Sequence, residues 1–182
     1  MKTFALSAAV LAVAVAAVSA GCAHGPSGEP VSAAFPDRFG LTQVIHVKQG
    51  GMEMDFLASL RRRGDDYELA MLDPVIQVPL YIARTEGGRL VEIKPLPPEA
   101  RGLGPMLFQS LAELFSAKSF VRRPAAMGEG DVFAFWTRRL EFEAAPWDMS
   151  AECPFPAEIR MRTRGGPDMT AVAKTEDVAC GE

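Results

Sequence analysis

From Met52 to Arg61 the chain alternates almost without interruption. Met52, Met54, Phe56, Ala58 and Leu60 are interleaved with Glu53, Asp55, Leu57, Ser59 and Arg61. Successive side chains of a strand point to opposite faces, so this spacing makes a β-strand with one face buried and one wet. Gly64-Asp65-Asp66 then turns the chain, and Tyr67, Leu69 and Met71 continue the pattern. Asp73-Pro74 breaks it. Val75 to Ala83 is a mostly apolar run, and Pro79 marks it as an edge or bulged strand, because proline donates no ladder hydrogen bond. Glu86-Gly87-Gly88 leads into Arg89–Lys94. Residues 41–94 are expected to form a meander of about five antiparallel strands.

Pro95, Pro97 and Pro98 end that meander, and the period changes. Leu107, Leu111, Leu114 and Phe115 stand at i, i+4, i+7 and i+8, one apolar stripe of a helix expected over Pro105–Lys118, with Phe108 flanking it. Pro105 suits a first turn and Lys118 a last turn. Val132–Glu143, carrying Phe133, Phe135 and Trp136, reads as a returning strand. A final hairpin pairs Glu158–Arg164 with Met169–Glu176 across Gly165-Gly166-Pro167-Asp168. The fold class that follows is α+β and mainly antiparallel β. It is a curved sheet or incomplete barrel with an amphipathic helix covering its concave face.

Charge and composition exclude several functions. The net charge is −4, and no basic face accumulates beyond Arg61-Arg62-Arg63, so the chain is no generic binder of nucleic-acid backbones. Hydrophobic residues at 48% and charged residues at 23% are globular values, which excludes intrinsic disorder. The arginine run reads as a charged hairpin end that discourages edge pairing, or alternatively as a contact for anionic headgroups.

The N-terminus carries an address. Lys2 is a short basic region, Phe4 to Ala20 is uncharged and rich in Ala and Val, and Val18-Ser19-Ala20-Gly21 leads into Cys22. This is an export signal rather than a spanning anchor. Small residues before a cysteine resemble the bacterial lipobox, although Ser19 stands where Leu is preferred. The resemblance implies cleavage after residue 21 and diacylglyceryl modification of Cys22. The alternative is an ordinary secretory signal cut after Ala20, which leaves a free thiol. Ala23, rather than Asp, implies sorting to the periplasmic face of the outer membrane. Of the three Cys, an acylated Cys22 leaves Cys153 and Cys180 to form a disulfide or to stay as two unpaired buried thiols. A bridge would close a loop worth about 3–4 kcal/mol of chain entropy. The expected organisation is a signal peptide over 1–21, the lipidated cysteine and a flexible tether over 22–38, and one folded domain over 39–182.

The stretch from Tyr67 through Asp73-Pro74-Val75-Ile76-Gln77 to Leu80 resembles LolB-type outer-membrane lipoproteins, in which a Tyr-x-Leu strand meets a Pro-Leu-Gly-Gln turn. Ile76 stands where that family has Gly. The resemblance covers Leu41 to Phe120, including the helix after the proline-rich stretch. It implies a half-open antiparallel barrel whose helix lids a hydrophobic cavity for acyl chains. In LolB a single protruding Leu in a loop serves membrane insertion, and the resemblance assigns that role to no residue of this chain.

Side-chain chemistry fits such a cavity. Eight Met follow the expected signal peptide, and Met52, Met54 and Met71 lie on the strands beside Phe56, Tyr67 and Leu69. Thioethers and aromatics suit an adaptable apolar space, although for each residue alone a plain core role is the simpler account. The expected cavity residues are Met54, Phe56, Tyr67, Leu69, Met71, Leu107, Leu111, Leu114, Phe115, Phe133 and Phe135. No enzyme is expected. The two His, His24 and His46, have no partners at metal-ligand spacing, and no nucleophile elbow or phosphate loop occurs. Glu53 and Asp55 on one strand face read as a solvated pair. No cofactor or metal is expected. Two functions follow. One is an outer-membrane lipoprotein that binds acyl chains of a lipid, lipoprotein or lipid-linked product, for transport or membrane insertion, with a periplasmic carrier protein as a partner. The other is a structural or adaptor lipoprotein of an envelope assembly, with a filled core.

Overall fold

The computed structural model describes residues 28–124, 131–165 and 168–181. The segment expected as a signal peptide, Cys22 and His24 lie outside them. Eleven antiparallel strands form one sheet in the order β1-β7-β8-β9-β10-β11-β2-β3-β4-β5-β6, and β1 and β6 are its two free edges. The strands are β1 (Glu29–Ser32), β2 (Arg38–Gln49), β3 (Met52–Arg63), β4 (Asp66–Leu72), β5 (Pro79–Glu86), β6 (Arg89–Lys94), β7 (Ser119–Pro124), β8 (Asp131–Trp136), β9 (Leu140–Ala145), β10 (Glu158–Thr163) and β11 (Met169–Cys180). The helix α1 (Leu103–Ser116) carries the chain from one side of this curved sheet to the other, between β6 and β7.

The meander forms as its alternation requires. β2 and β3 pair from Arg38↔Arg63 to Gln49↔Met52 without a slip. Gly50 and Gly51, with φ of 54° and 85°, make the two-residue turn that matches the twist of the flanking strands. Phe56, Ala58 and Leu60 face inward and are buried, and so is Arg62. Only Arg61 and Arg63 are exposed, so the arginine run is not wholly a solvated hairpin end. Pro79 opens β5 beside a register shift between Met71↔Tyr81 and Leu72↔Pro79. Proline is thus accommodated at an irregularity, and β5 lies between β4 and β6 rather than at the edge. Val75 to Val78 belong to the preceding loop, not to the strand.

Three expectations need correction. The segment 22–38 is not all tether. Glu29–Ser32 pairs with β7, and Phe35 is buried in the core, so the folded body begins before residue 39. Val132–Glu143 is not one strand but β8 and β9, broken where Thr137 closes a tight turn. Its Oγ1 accepts from the Leu140 and Arg139 N–H groups at 2.9 and 3.2 Å. The helix is shifted by two residues against Pro105–Lys118. It ends at Ser116, and Ala117 is already extended, so Lys118 lies beyond its last turn.

Leu103, Gly104, Leu107, Phe108, Leu111, Leu114 and Phe115 form the buried face of α1, with Ser110. They join the inward residues of the sheet in a single apolar core. The tightest approach is at Gly104, where an added Cβ would stand 2.5 Å from the Tyr81 ring. Only a residue without a side chain lets the helix settle there. Gly104→Ala is expected to lower stability by about 1–3 kcal/mol through overpacking, despite the higher helix propensity of alanine. Urea denaturation of the two proteins checks this.

Candidate functional site

The interior between sheet and helix brings the expected cavity residues together. Phe56, Tyr67, Leu69, Met71, Leu107, Leu111, Leu114, Phe115 and Phe133 share one buried cluster, and Met54 and Phe135 pack against it from partly buried positions. β-strand period and helical period converge on one volume because each buries its own apolar face against the other. The space facing Leu111, Leu114 and Phe115 is occupied by side chains. The two clefts described below do not touch them.

Arg62 organises one end of this interior. It continues the inward face of β3 in phase with Phe56, Ala58 and Leu60, so its guanidinium enters the core region, only 7% exposed. Its Nε donates to the Gly64 carbonyl at 2.9 Å. One terminal nitrogen donates to the carbonyls of Phe115 at 2.7 Å, Pro36 at 3.2 Å and Phe35 at 3.5 Å. The other donates to the Asp37 carboxylate at 3.2 Å. The guanidinium also lies 5.5 Å from the Tyr67 ring centre. The Phe115 carbonyl is one of the helix-end acceptors that the helix itself cannot satisfy, and a cation there also meets the negative end of the helix dipole. Tyr67 adds a hydroxyl contact of 2.8 Å to Ser116. Burial raises the Tyr67 phenol above its usual range, against the lowering effect of that hydrogen bond. At the other end of α1, burial pushes the Tyr81 phenol up further, with the charge of Glu92 adding to it.

A second cover lies at the same end. Loop 146–157 joins β9 to β10 and presses Trp147 and Phe155 onto the interior. Trp147 stacks on Phe35 with ring centres 4.7 Å apart and meets Phe120 and Phe133 edge to face. Phe155 meets Phe39 at 4.7 Å and Phe35 at 5.2 Å. Cys153 of this loop forms a disulfide with Cys180 at the end of β11, with Cα atoms 5.7 Å apart. The expected pairing is present. At the foot of the loop is a cleft of about 900 Å³, with Phe133, Pro146 and Trp147 on its apolar side and charged residues, among them Glu143, Glu158, Arg160 and Lys174, on the rest of its wall. A smaller cleft of about 250 Å³ lies beside the β3–β4 hairpin at Arg61, Arg63 and Arg84.

The outside carries one apolar tip. Val75 and Ile76 are 86% and 69% exposed, and Val78, Ile93 and Met52 are also exposed. These are the exposed large hydrophobics among the described residues. In an up-and-down meander the β2–β3 turn, the β4–β5 loop and the end of β6 all fall at the same end. The five therefore share that end. Asp73 holds the loop outward, its Oδ1 accepting from the Val75 and Ile76 N–H groups at 2.8 and 3.0 Å. Those two hydrogen bonds, to Ile76 first, keep the Asp73 carboxyl below the usual range.

No group of three or more metal-ligating side chains occurs among the described residues. His46 meets Asp55 at 2.6 Å and Lys48 meets Glu53 at 2.8 Å on the exposed face of β2 and β3, so both carboxylates are engaged in surface pairs. No described helix is long and apolar enough to cross a membrane. Arg62, Trp147 and the Val75-Ile76 tip were not singled out as site residues by sequence. For Arg62 the signal was present, since its even position in the alternating strand faces inward.

No protein-family model matches the chain, and no curated protein does. Among solved structures it is similar to a LolA superfamily protein from Nitrosomonas europaea, at 10% identity and a TM-score of 0.48, over 82% of this chain and 89% of that one.

The clasp at Arg62 yields a stability prediction. Arg62→Ala is expected to cost about 1–3 kcal/mol, because it leaves the buried Phe115 carbonyl without its donor while Asp37 stays in water. Tyr67→Phe, which gives up one hydrogen bond, should cost about 1 kcal/mol. Thermal denaturation followed by circular dichroism measures both.

Proposed function

We propose that this protein is an acyl-chain-binding lipoprotein of the bacterial cell envelope. It is anchored through acylated Cys22, at the periplasmic face of the outer membrane, and its apolar interior holds the hydrocarbon of a lipid, lipoprotein or lipid-linked product. The observation that carries this reading is the apolar tip, with the exposed large hydrophobics of the described residues gathered at one end of the meander. A tip of this kind suits contact with hydrocarbon. Burying Val75 and Ile76 in a bilayer would gain about 2 kcal/mol each, enough for reversible docking beside a lipid anchor. Val75 and Ile76 take the insertion role that the LolB resemblance left unassigned. The interior then receives the acyl chain by hydrophobic transfer, each methylene contributing about 0.8 kcal/mol, with no cofactor and no covalent step. Met54 and Met71, unbranched and polarisable, adapt the wall to the occupant. A soluble carrier protein of the periplasm is a fitting partner for handover.

A second reading has its own observation. Leu111, Leu114 and Phe115 are buried in the shared apolar cluster and line neither of the two clefts described above, as in the filled core of an adaptor.

The two readings differ at the tip. Val75→Glu/Ile76→Glu changes only exposed side chains and should leave the melting temperature within about 2 °C. In flotation with phosphatidylethanolamine–phosphatidylglycerol vesicles, the domain starting after Cys22 should lose at least tenfold in association. Unchanged association would remove the tip from membrane contact and favour the adaptor.

A further inference from the structure

Helix α1 is fastened at both ends, by Arg62 and Tyr67 at its C-terminus and by the close Gly104–Tyr81 contact near its N-terminus. Loop 146–157 is fastened differently. It contains no helix or strand, and its foot is closed by the Ala157 N–H donating to the Pro146 carbonyl at 3.0 Å and by Thr175 of β11, which donates to the Pro156 and Ala157 carbonyls at 2.7 and 2.9 Å. Within it, the hydrogen bonds of residues 147–155 run only among themselves, from Ser150 and Ala151 to Asp148. Ring contacts of Trp147 and Phe155, the packing of Met149 against the core and the Cys153–Cys180 bond hold this stretch to the body.

We propose that loop 146–157 is a disulfide-tethered flap, and that an acyl chain reaches the interior beneath it, past Trp147, rather than beneath helix α1. The inference rests on the acyl-chain reading above. Three observations meet at Trp147. It forms part of the wall of the 900 Å³ cleft at the foot of the flap, a volume within the range of small-molecule sites. It also belongs, with Phe133, to the interior cluster, so a single layer of aromatic side chain separates cleft from interior. Its indole N–H is buried without a hydrogen-bond partner, so no polar contact ties the ring in place. Swinging Trp147 outward breaks ring contacts alone. Lifting α1 would instead strip a buried guanidinium of its helix-end acceptor, which low-dielectric surroundings make far harder. The disulfide sets the limit of travel: Cys153 stays with Cys180, and the segment between Pro146 and Cys153 is the part that lifts.

The test uses the full mature chain and cis-parinaric acid, a fluorescent long-chain fatty acid, with association followed by stopped flow. Cys153→Ser/Cys180→Ser frees the flap and should raise the association rate constant at least fivefold while the native circular dichroism is kept. Hydrogen exchange on the unaltered protein gives an independent readout. Amides of 147–155 should exchange at least tenfold faster than those of 107–115, and should become protected when the fatty acid binds. An unchanged rate in the freed-flap variant, or protection on binding confined to α1, would overturn the flap as the way in. A folded wild-type protein that takes up no parinaric acid would overturn the acyl-chain reading itself, a different failure from a wrong gate.

Discussion

The guanidinium of Arg62 is the point on which the covered half of the molecule depends. A cation held almost out of water must find acceptors for its N–H groups, and this one finds them in three separate stretches of chain. The Phe115 carbonyl ends the helix, the Phe35 and Pro36 carbonyls belong to the segment before β2, and the Gly64 carbonyl lies in the β3–β4 hairpin. The segment before β2 already meets the hairpin, where the Gly64 N–H donates to the Asp37 carbonyl at 2.7 Å beside the Arg38↔Arg63 pair, but the helix end has no ladder to either. The side chain supplies that missing link, tying the helix end to both. Asp37, largely exposed, adds charge compensation from the solvent side.

From that fixed end the rest of the interior follows. With its C-terminus clasped, α1 can reach across the sheet only along one line, and Gly104 allows it to lie close on Tyr81. Its stripe then meets the inward faces of the meander, and the aromatic rings of Phe35, Trp147 and Phe155 complete the cover beside Arg62. The outcome is an apolar interior closed by two elements of different rigidity. One is a helix tied by charged hydrogen bonds, and the other an irregular loop tied by rings and a disulfide. That difference determines where the molecule opens most readily, since regions with few hydrogen bonds to the body open first. The apolar tip at Val75 and Ile76 lies outside this enclosure and meets other surfaces without disturbing it.

Much of this architecture is legible in the chain, for reasons that differ by element. The meander of β2 to β6 shows itself because each strand has one wet face, so period two survives in the sequence, and glycine pairs mark the tight turns. The helix shows its stripe for the same reason. β1 and β7 do not, because each is short and much of their pairing is with one another, Glu29↔Arg122 to Ser32↔Ser119, across about half of the chain. Proline and glycine around β1 suggest a tether to any local reading. The β8–β9 turn is hidden because Thr137-Arg138-Arg139 contains no turn-forming glycine or proline, and a threonine hydroxyl closes it instead. Within the site, the apolar residues were readable as a set. Arg62 was obscured by its neighbours Arg61 and Arg63, whose charge suggests a solvated run even though the strand period places the middle residue inside. The exposed tip carries the strand-like side chains of Val75, Ile76 and Val78, and what makes it a loop is the Asp73 carboxylate, the backbone bonds of Asp73 with Gln77 and Val78 and the left-handed turn at Gln77.

The central claim is that the covered interior exists to hold hydrocarbon. Native mass spectrometry of the mature chain, released gently from the bacterial envelope, tests it most directly. The account predicts, beyond the mass of the anchor, noncovalent adducts of lipid mass that dissociate on denaturation. A single unliganded mass, in protein that also fails to take up apolar probes, would contradict it and leave a filled core with a binding surface outside.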